Sequence, residues 1–232
     1  MIDHSTARLT GLLFIVATVA ALVAAALVPG LGGADYLATI SADADQVAVS
    51  AILYLIAAFA SAGIAVSLYP VLKATNAAMA LGSVVFRTLE AGMYAIAVLG
   101  LLSLVSLGTK VTSGGAGDLG ALQAIGDSMV SLRDDSSLAG VLAFSLGAFL
   151  YYYLFFQSRL VPRWLSGWGI VAVVLMASAC VLALFGHNPV TGYAPLILPI
   201  AVQEMVLAAW LIVRGFSSSA VRSSRVLSPT VA

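Results

Sequence analysis

An all-α, polytopic membrane protein, a bundle of six transmembrane helices with both termini in the cytoplasm, is the fold class this sequence predicts. Three observations predict it. The chain is 62% hydrophobic and only 9% charged, against about 45–50% and about 25% in soluble domains. Six stretches, at 7–28, 47–70, 76–106, 136–157, 164–186 and 193–214, are apolar over about the 20 residues that a bilayer-crossing helix needs. They are continuously apolar, without the polar and apolar alternation of membrane strands, which excludes a barrel.

The first run carries Arg8, an apolar core and Ala24-Ala25-Ala26, as a secretory signal would. Its apolar part exceeds the usual length of about 7 to 15 residues, so it reads as a retained span. The third run is too long for one upright crossing, and tilts or projects beyond the membrane. Between the spans, LKATN and QSRLVPR are short and basic, whereas PGLGGADYLATISADAD and the stretch 108–136 are longer and hold most of the acids. The glycine-rich TSGGAGDLG lacks a Gly-Lys-Ser/Thr ending and a preceding strand, so it reads as a connector rather than a phosphate loop. After it, Leu119, Leu122, Ile125, Met129 and Leu132 recur at helical spacing and predict a short amphipathic helix over 118–132, lying across the outer mouth of the bundle. The polar segment 217–232 reads as a disordered cytoplasmic tail.

Orientation follows from the basic residues. With the amino terminus in the cytoplasm, Arg8, Lys73, Arg159, Arg163, Arg214, Arg222 and Arg225 lie inside, and only Lys110 and Arg133 outside. That is the positive-inside pattern, and Tyr151, Tyr152, Tyr153, Trp164, Trp168 and Trp210 gather where spans four to six should meet the inner interface. Ten basic and ten acidic residues cancel, so no global field draws nucleic acid. One cysteine, Cys180, and two distant histidines, His4 and His187, offer neither an intrachain disulfide nor a metal centre. No cofactor motif is present.

FRTLEAGMY, residues 86–94, places charge where the surroundings are oily. From the cytoplasmic end, Arg87 lies about 16 Å and Glu90 about 21 Å along span three, and Glu204 about 15 Å along span six. A lone arginine at that depth costs from about 2.5 to over 10 kcal/mol, so it needs a partner. Glu90 is one turn away, and Glu204 is the better partner if spans three and six are neighbours. Asn76, Ser83, Arg87, Glu90 and Tyr94 share one helical face, which must look inward. Gln203, beside Glu204, can add a hydrogen bond. Two carboxylates face one guanidinium, so one carboxyl is protonated or meets a cation that the sequence does not encode. Arg87 therefore pairs with Glu204 while Glu90 titrates, or the reverse.

Catalysis finds no constellation. No serine stands in a Gly-x-Ser-x-Gly setting, no His-x-x-Glu-His or Asp pair lies in a span, and no histidine stands at membrane depth to act as a base. An intramembrane hydrolase would have to use Glu90 or Glu204 with unpaired serines. Cys180, Ser61, Ser145 and Ser178 read as packing residues. Ala57, Ser61 and Ala65, like Ala139, Ala143 and Gly147, are small residues four apart that suit close helix contact, either within the chain or with a second copy or a partner membrane protein.

FRTLEAGMY, QSRLVPRWLSGWGI and QEMVLAAWLIVRGF together resemble the bacterial membrane family catalogued as domain of unknown function 4386. The resemblance runs from ARLTGLLF at 7–14 to RGF at 214–216. It implies a six-helix bundle in a bacterial inner membrane, and no activity. It also puts Arg87, Glu90 and Glu204 inside the most family-like segments. Two function classes follow. One is a midplane polar site that binds or conducts a small cation, a proton or an amphiphile, formed by Arg87, Glu90, Glu204, Gln203, Tyr94 and Ser83. The other is a scaffold or accessory subunit, whose buried charges only lock its helices in the lipid bilayer.

Overall fold

In this computed structural model, residues 4–114, 118–186 and 190–217 are described. His187 and the expected tail beyond Ser217 lie outside them. The described residues form seven α-helices and no strand: α1 (His4–Leu27), α2 (Tyr36–Ala42), α3 (Ala44–Leu72), α4 (Ala77–Thr112), α5 (Leu119–Ser158), α6 (Arg163–Gly186) and α7 (Ala194–Val213), with a 3₁₀ turn at Val190–Tyr193. All but α2 are long and apolar enough to cross a membrane. The protein is a multi-pass integral membrane protein, as its composition requires.

Each spanning helix packs against the next in the chain, and α7 closes back onto α1. The result is a six-membered ring in chain order, α1–α3–α4–α5–α6–α7. Local chemistry starts and stops its members. Asn76 caps α4 by accepting from the Met79 N–H at 3.0 Å, and Asp118 caps α5 by accepting from the Gly120 N–H at 2.9 Å. Each satisfies an amide that a helix start leaves orphaned. Arg159, in the left-handed region at φ 57°, ends α5 and turns the chain through Pro162 into α6.

Two packed regions stack along the bundle. At the end holding His4 and Val213, Phe14, Ile64, Leu68, Tyr151, Tyr152, Phe155, Leu207 and Leu211 fill the interior. There α1 and α7 touch backbone to backbone, since a Cβ on Gly11 would stand 2.8 Å from the Ala208 carbonyl oxygen. At the opposite end, Leu101 and Leu104 of α4 pack with Tyr36, Leu37 and Ile40 of α2. Leucines, valines and phenylalanines such as Leu12, Phe59, Leu99 and Val171 face outward. In water such a surface would be unstable, whereas lipid tails cover it without cost.

Two expectations about the loops are corrected. The segment 118–132 is no separate helix across the mouth, because it runs uninterrupted into the fourth span as the 40-residue α5. No helix breaker separates Leu132 from the span. The hydroxyls of Ser131 and Ser137 donate back to the carbonyls of Asp127 and Arg133 at 3.1 and 2.8 Å, so these polar residues stay helical. The first long connection is not plain loop either, since it contains α2. At 1.5 Å per residue, α4 and α5 measure about 54 and 60 Å, well beyond a hydrocarbon core of about 30 Å. They project together, and α2 braces the projection against α4. Gly108 leaves no side chain there, so the Leu37 carbonyl comes into direct contact with α4.

Tyr36 fastens α2 to α5 by donating to Asp127 Oδ1 at 2.9 Å. Burial first, then the Asp127 carboxylate, push its phenol up to about 12. An unfolded tyrosine titrates near about 10, so the folded brace holds an extra proton between these values. The resulting stability is whole below about pH 10 and is lost as the pH rises through about 12. An absorbance titration of the parent minus Tyr36→Phe should show one phenol ionising near 12 with a parallel loosening of α2; a midpoint near 10 would contradict the brace.

Candidate functional site

The inward face of α4 carries Ser83, Arg87 and Glu90, with Tyr94 one turn further on. Arg87 is 1% exposed, and its Nη1 lies 3.1 Å from Glu90 Oε2. Neither Nη1 nor Nε makes an aligned hydrogen bond, so this pair is chiefly a charge contact. What else surrounds the guanidinium is aromatic: its Cζ sits 4.3 Å from the centroid of Phe144 and 5.9 Å from that of Tyr151. Ring faces attract a cation by about 2 kcal/mol or more once water is excluded. Space for the arginine stem comes from Gly147, where a Cβ would stand 3.0 Å from Arg87 Cγ. Of the small residues on α5, Gly147 thus serves a contact inside the chain.

Glu90 is held from a third helix, because Ser61 Oγ of α3 donates to its Oε2 at 2.7 Å. Arg87, Glu90, Ser61, Phe144 and Tyr151 therefore knit α3, α4 and α5 together. Of the two pairings expected for Arg87, the structure forms the one with Glu90. Spans three and six are not ring neighbours, so Glu204 approaches from across the interior. It influences Arg87 through its field rather than by contact. Glu204 is 7% exposed; its Oε2 accepts from Thr18 Oγ1 of α1 at 3.2 Å, and its Oε1 is buried without an aligned hydrogen bond, the Tyr151 hydroxyl being its polar neighbour.

Gln203 does not join this group. A residue step turns a helix by about 100°, which aims Gln203 away from Glu204. There it accepts from Tyr152 Oη at 2.5 Å and donates to the Leu165 carbonyl at 3.1 Å, a lock between α5, α6 and α7. Ser83 is also self-contained, donating to the Ala80 carbonyl at 2.8 Å. Tyr151 and Tyr152 are fully buried beside the charges, not at the membrane interface as their sequence neighbourhood suggested. Tyr153 and Trp164 do face outward.

Between the two carboxylates lies a cavity of about 180 Å³, lined by Thr18, Tyr54, Ser61, Arg87, Glu90, Tyr94, Phe144 and Glu204 and otherwise by alanines, Leu22, Met176, Ile197 and Ile200. Sequence reasoning missed Thr18, Tyr54 and Phe144 and took Ser61 for packing. A lone hydroxyl or ring in an apolar run gives no sign of which charge it will meet. Among the described residues no three His, Cys, Asp or Glu side chains cluster as metal ligands.

The profile of the family described as Domain of unknown function (DUF4386) matches residues 9–215. The chain belongs to the DUF4386 family. Every cavity-lining residue falls within the matched stretch, so the site is part of the DUF4386 domain itself. No curated protein and no solved structure matches the chain.

The pairing within this DUF4386 site is open to a direct test. Arg87→Met leaves Glu90 as an uncompensated buried charge and should cost about 3–5 kcal/mol. Adding Glu90→Gln removes that charge and should restore part of the loss. Unfolding titrations in mixed micelles measure both variants, and a double variant no more stable than Arg87→Met would show that the pair is not coupled.

Proposed function

We propose that this protein binds a small lipophilic amine, with the ammonium group held by Glu204 and the apolar body filling the central cavity. The observation that carries this reading is Glu204 Oε1, a buried carboxylate oxygen with no aligned hydrogen bond and, among the described residues, no cation in contact, on the wall of a cavity lined largely by alanines and other apolar side chains. Arg87 and Glu90 neutralise one another at 3.1 Å, which leaves Glu204 as the surplus negative charge. A buried charge of this kind calls for a counter-charge or a proton. An ammonium group supplies either, as a cation or as the donor of a hydrogen bond.

Other ligand classes fit less well. A hard metal cation wants six or more oxygens converging on one point, whereas the acids here stand on opposite walls and Glu90 is already engaged by Arg87 and Ser61. An anion would meet the surplus charge with the wrong sign, and a neutral hydrocarbon would leave Glu204 as it is. Size agrees with the amine: an apolar cavity of about 150 Å³ accommodates benzene, so about 180 Å³ accepts one ring with a short amine arm. Entry from the membrane is favoured by the rim, where Leu22 is 58% exposed and Ala21, Ile197 and Ala201 are partly exposed, all on α1 and α7. These helices close on each other only further down, at Gly11 and Ala208. Residence in a bacterial inner membrane with the His4 end in the cytoplasm belongs to the same proposal. It is supported by Arg8, Lys73, Arg159, Arg163 and Arg214, which the topology gathers at that end.

The scaffold reading draws on the knot formed by Arg87, Glu90 and Ser61, which ties three helices without needing a ligand. It leaves the cavity and Glu204 without a role. Binding of benzylamine and of its neutral isostere benzyl alcohol to protein in nanodiscs, corrected against empty discs, separates the two. A hydrogen bond to a charged group contributes about 1.5–3 kcal/mol, so benzylamine should bind about tenfold or more tighter, and Glu204→Gln should erase the difference. Equal affinities in the parent, or a preference that survives Glu204→Gln, would overturn the reading.

A further inference from the structure

We infer that the buried carboxylates have a second, aqueous entrance: a thread one water wide between α3, α4 and α5, closed toward the central cavity by the Tyr54 and Tyr94 rings. This goes beyond the amine reading, because it concerns how water and protons reach Glu90 whatever the central cavity holds.

A second void of about 10 Å³ lies between these three helices, lined by Tyr54, Tyr94, Ala97, Arg133 and Ser137 among others. That is close to the smallest volume that holds one water. Tyr54 and Tyr94 also line the central cavity, so the two spaces share a wall of two phenols. The other end of the void is polar and close to the surface. Arg133 pairs with Asp134 at 2.7 Å, their side chains 20% and 41% exposed. Arg133 also interacts with the Tyr54 hydroxyl. Water needs two to four polar partners in such a place, and Arg133, Ser137 and the two phenols supply them.

The order of groups from the surface inward is therefore Asp134, Arg133, a water-sized gap, the two tyrosines, and then Glu90 one helical turn from Tyr94. A phenol both donates and accepts, so it can pass a proton while its ring blocks anything larger than water. The groups that face Glu90 are Arg87 and Tyr94 from its own helix, Ser61 and Tyr54 from α3, and Glu204 from across the cavity. Among these, the tyrosines alone border both spaces. The seam beside the thread is closed: a Cβ on Gly100 would meet the Met129 carbonyl oxygen at 3.3 Å, so α4 and α5 leave no wider channel there. The site thus has an apolar side opening between α1 and α7 and a separate route for water.

Hydroxyl-radical footprinting of the protein in nanodiscs, read residue by residue by mass spectrometry, tests this because oxidation requires water next to the side chain. Tyr54 and Tyr94 should oxidise about tenfold faster than Tyr152, which is buried but off the route. Ala97→Phe fills the void from α4 and Ser137→Leu from α5, and each should cut the Tyr94 rate about fivefold. Unfolding would raise oxidation everywhere, so a fall cannot come from a damaged fold. Leu22→Trp, which plugs the side opening, should leave the rates unchanged. Tyr54 and Tyr94 oxidising as slowly as Tyr152, rates indifferent to both filling substitutions, or a fall with Leu22→Trp would each overturn the inference. None of these readouts involves amine binding, so they stand or fall apart from it.

Discussion

A guanidinium in the middle of a membrane protein cannot borrow water, so the protein itself must act as its solvent. Arg87 obtains that solvent from the ring of Phe144 on one neighbouring helix, from Tyr151 two turns closer to the His4 end of the same helix, and from the Glu90 carboxylate on its own helix. Much of the rest follows from those contacts. Gly147 has to lack a side chain for the arginine stem to pass, which fixes how α5 lies against α4. Ser61 has to face Glu90, which fixes the rotation of α3. Bilayer interiors give helices little hydrophobic reason to associate, and a polar knot of this kind supplies orientation where burial of apolar area cannot.

That knot is one-sided, and the asymmetry is what leaves a site. Arg87 and Glu90 neutralise each other on the α4 wall, while Glu204 stands on the α7 wall with the Thr18 and Tyr151 hydroxyls and, among the described residues, no cation in contact. The half of the bundle nearer His4 is filled by large rings and leucines. In the other half the interior is bordered by Ala17, Ala21, Ala57, Ala58 and Ala201, side chains too short to meet at the centre. Protein interiors are otherwise packed to crystal density. A cavity held open by alanines around a carboxyl group is therefore a property of residue choice rather than of loose packing.

Beyond the membrane, the same economy of contacts recurs. The projecting ends of α4 and α5 would be a bare helical pair without α2, whose Tyr36, Leu37 and Ile40 give them a small core of their own. This brace holds α5 where Arg133 and Ser137 border the second void. The geometry near Tyr54 and Tyr94 is thus set partly from outside the spans.

The sequence by itself determined that the chain is a membrane bundle of six helices and that Arg87, Glu90 and Glu204 look inward. Both conclusions rest on transfer energies, which depend on composition and on run length and need no knowledge of neighbours. It also placed Glu90 within one turn of Arg87, since spacing along a helix is fixed. Only the tertiary structure decided which acid the arginine meets, because ring order puts α7 opposite α4 rather than beside it. Only the structure turned Gln203 toward Tyr152 and Leu165, drew Tyr151 and Tyr152 from an expected interface into the core, and made 119–158 one helix. These depend on helix rotation and on which side chain lies across the gap. An apolar run says almost nothing about rotation, because in lipid every face of such a helix is nearly as content as any other.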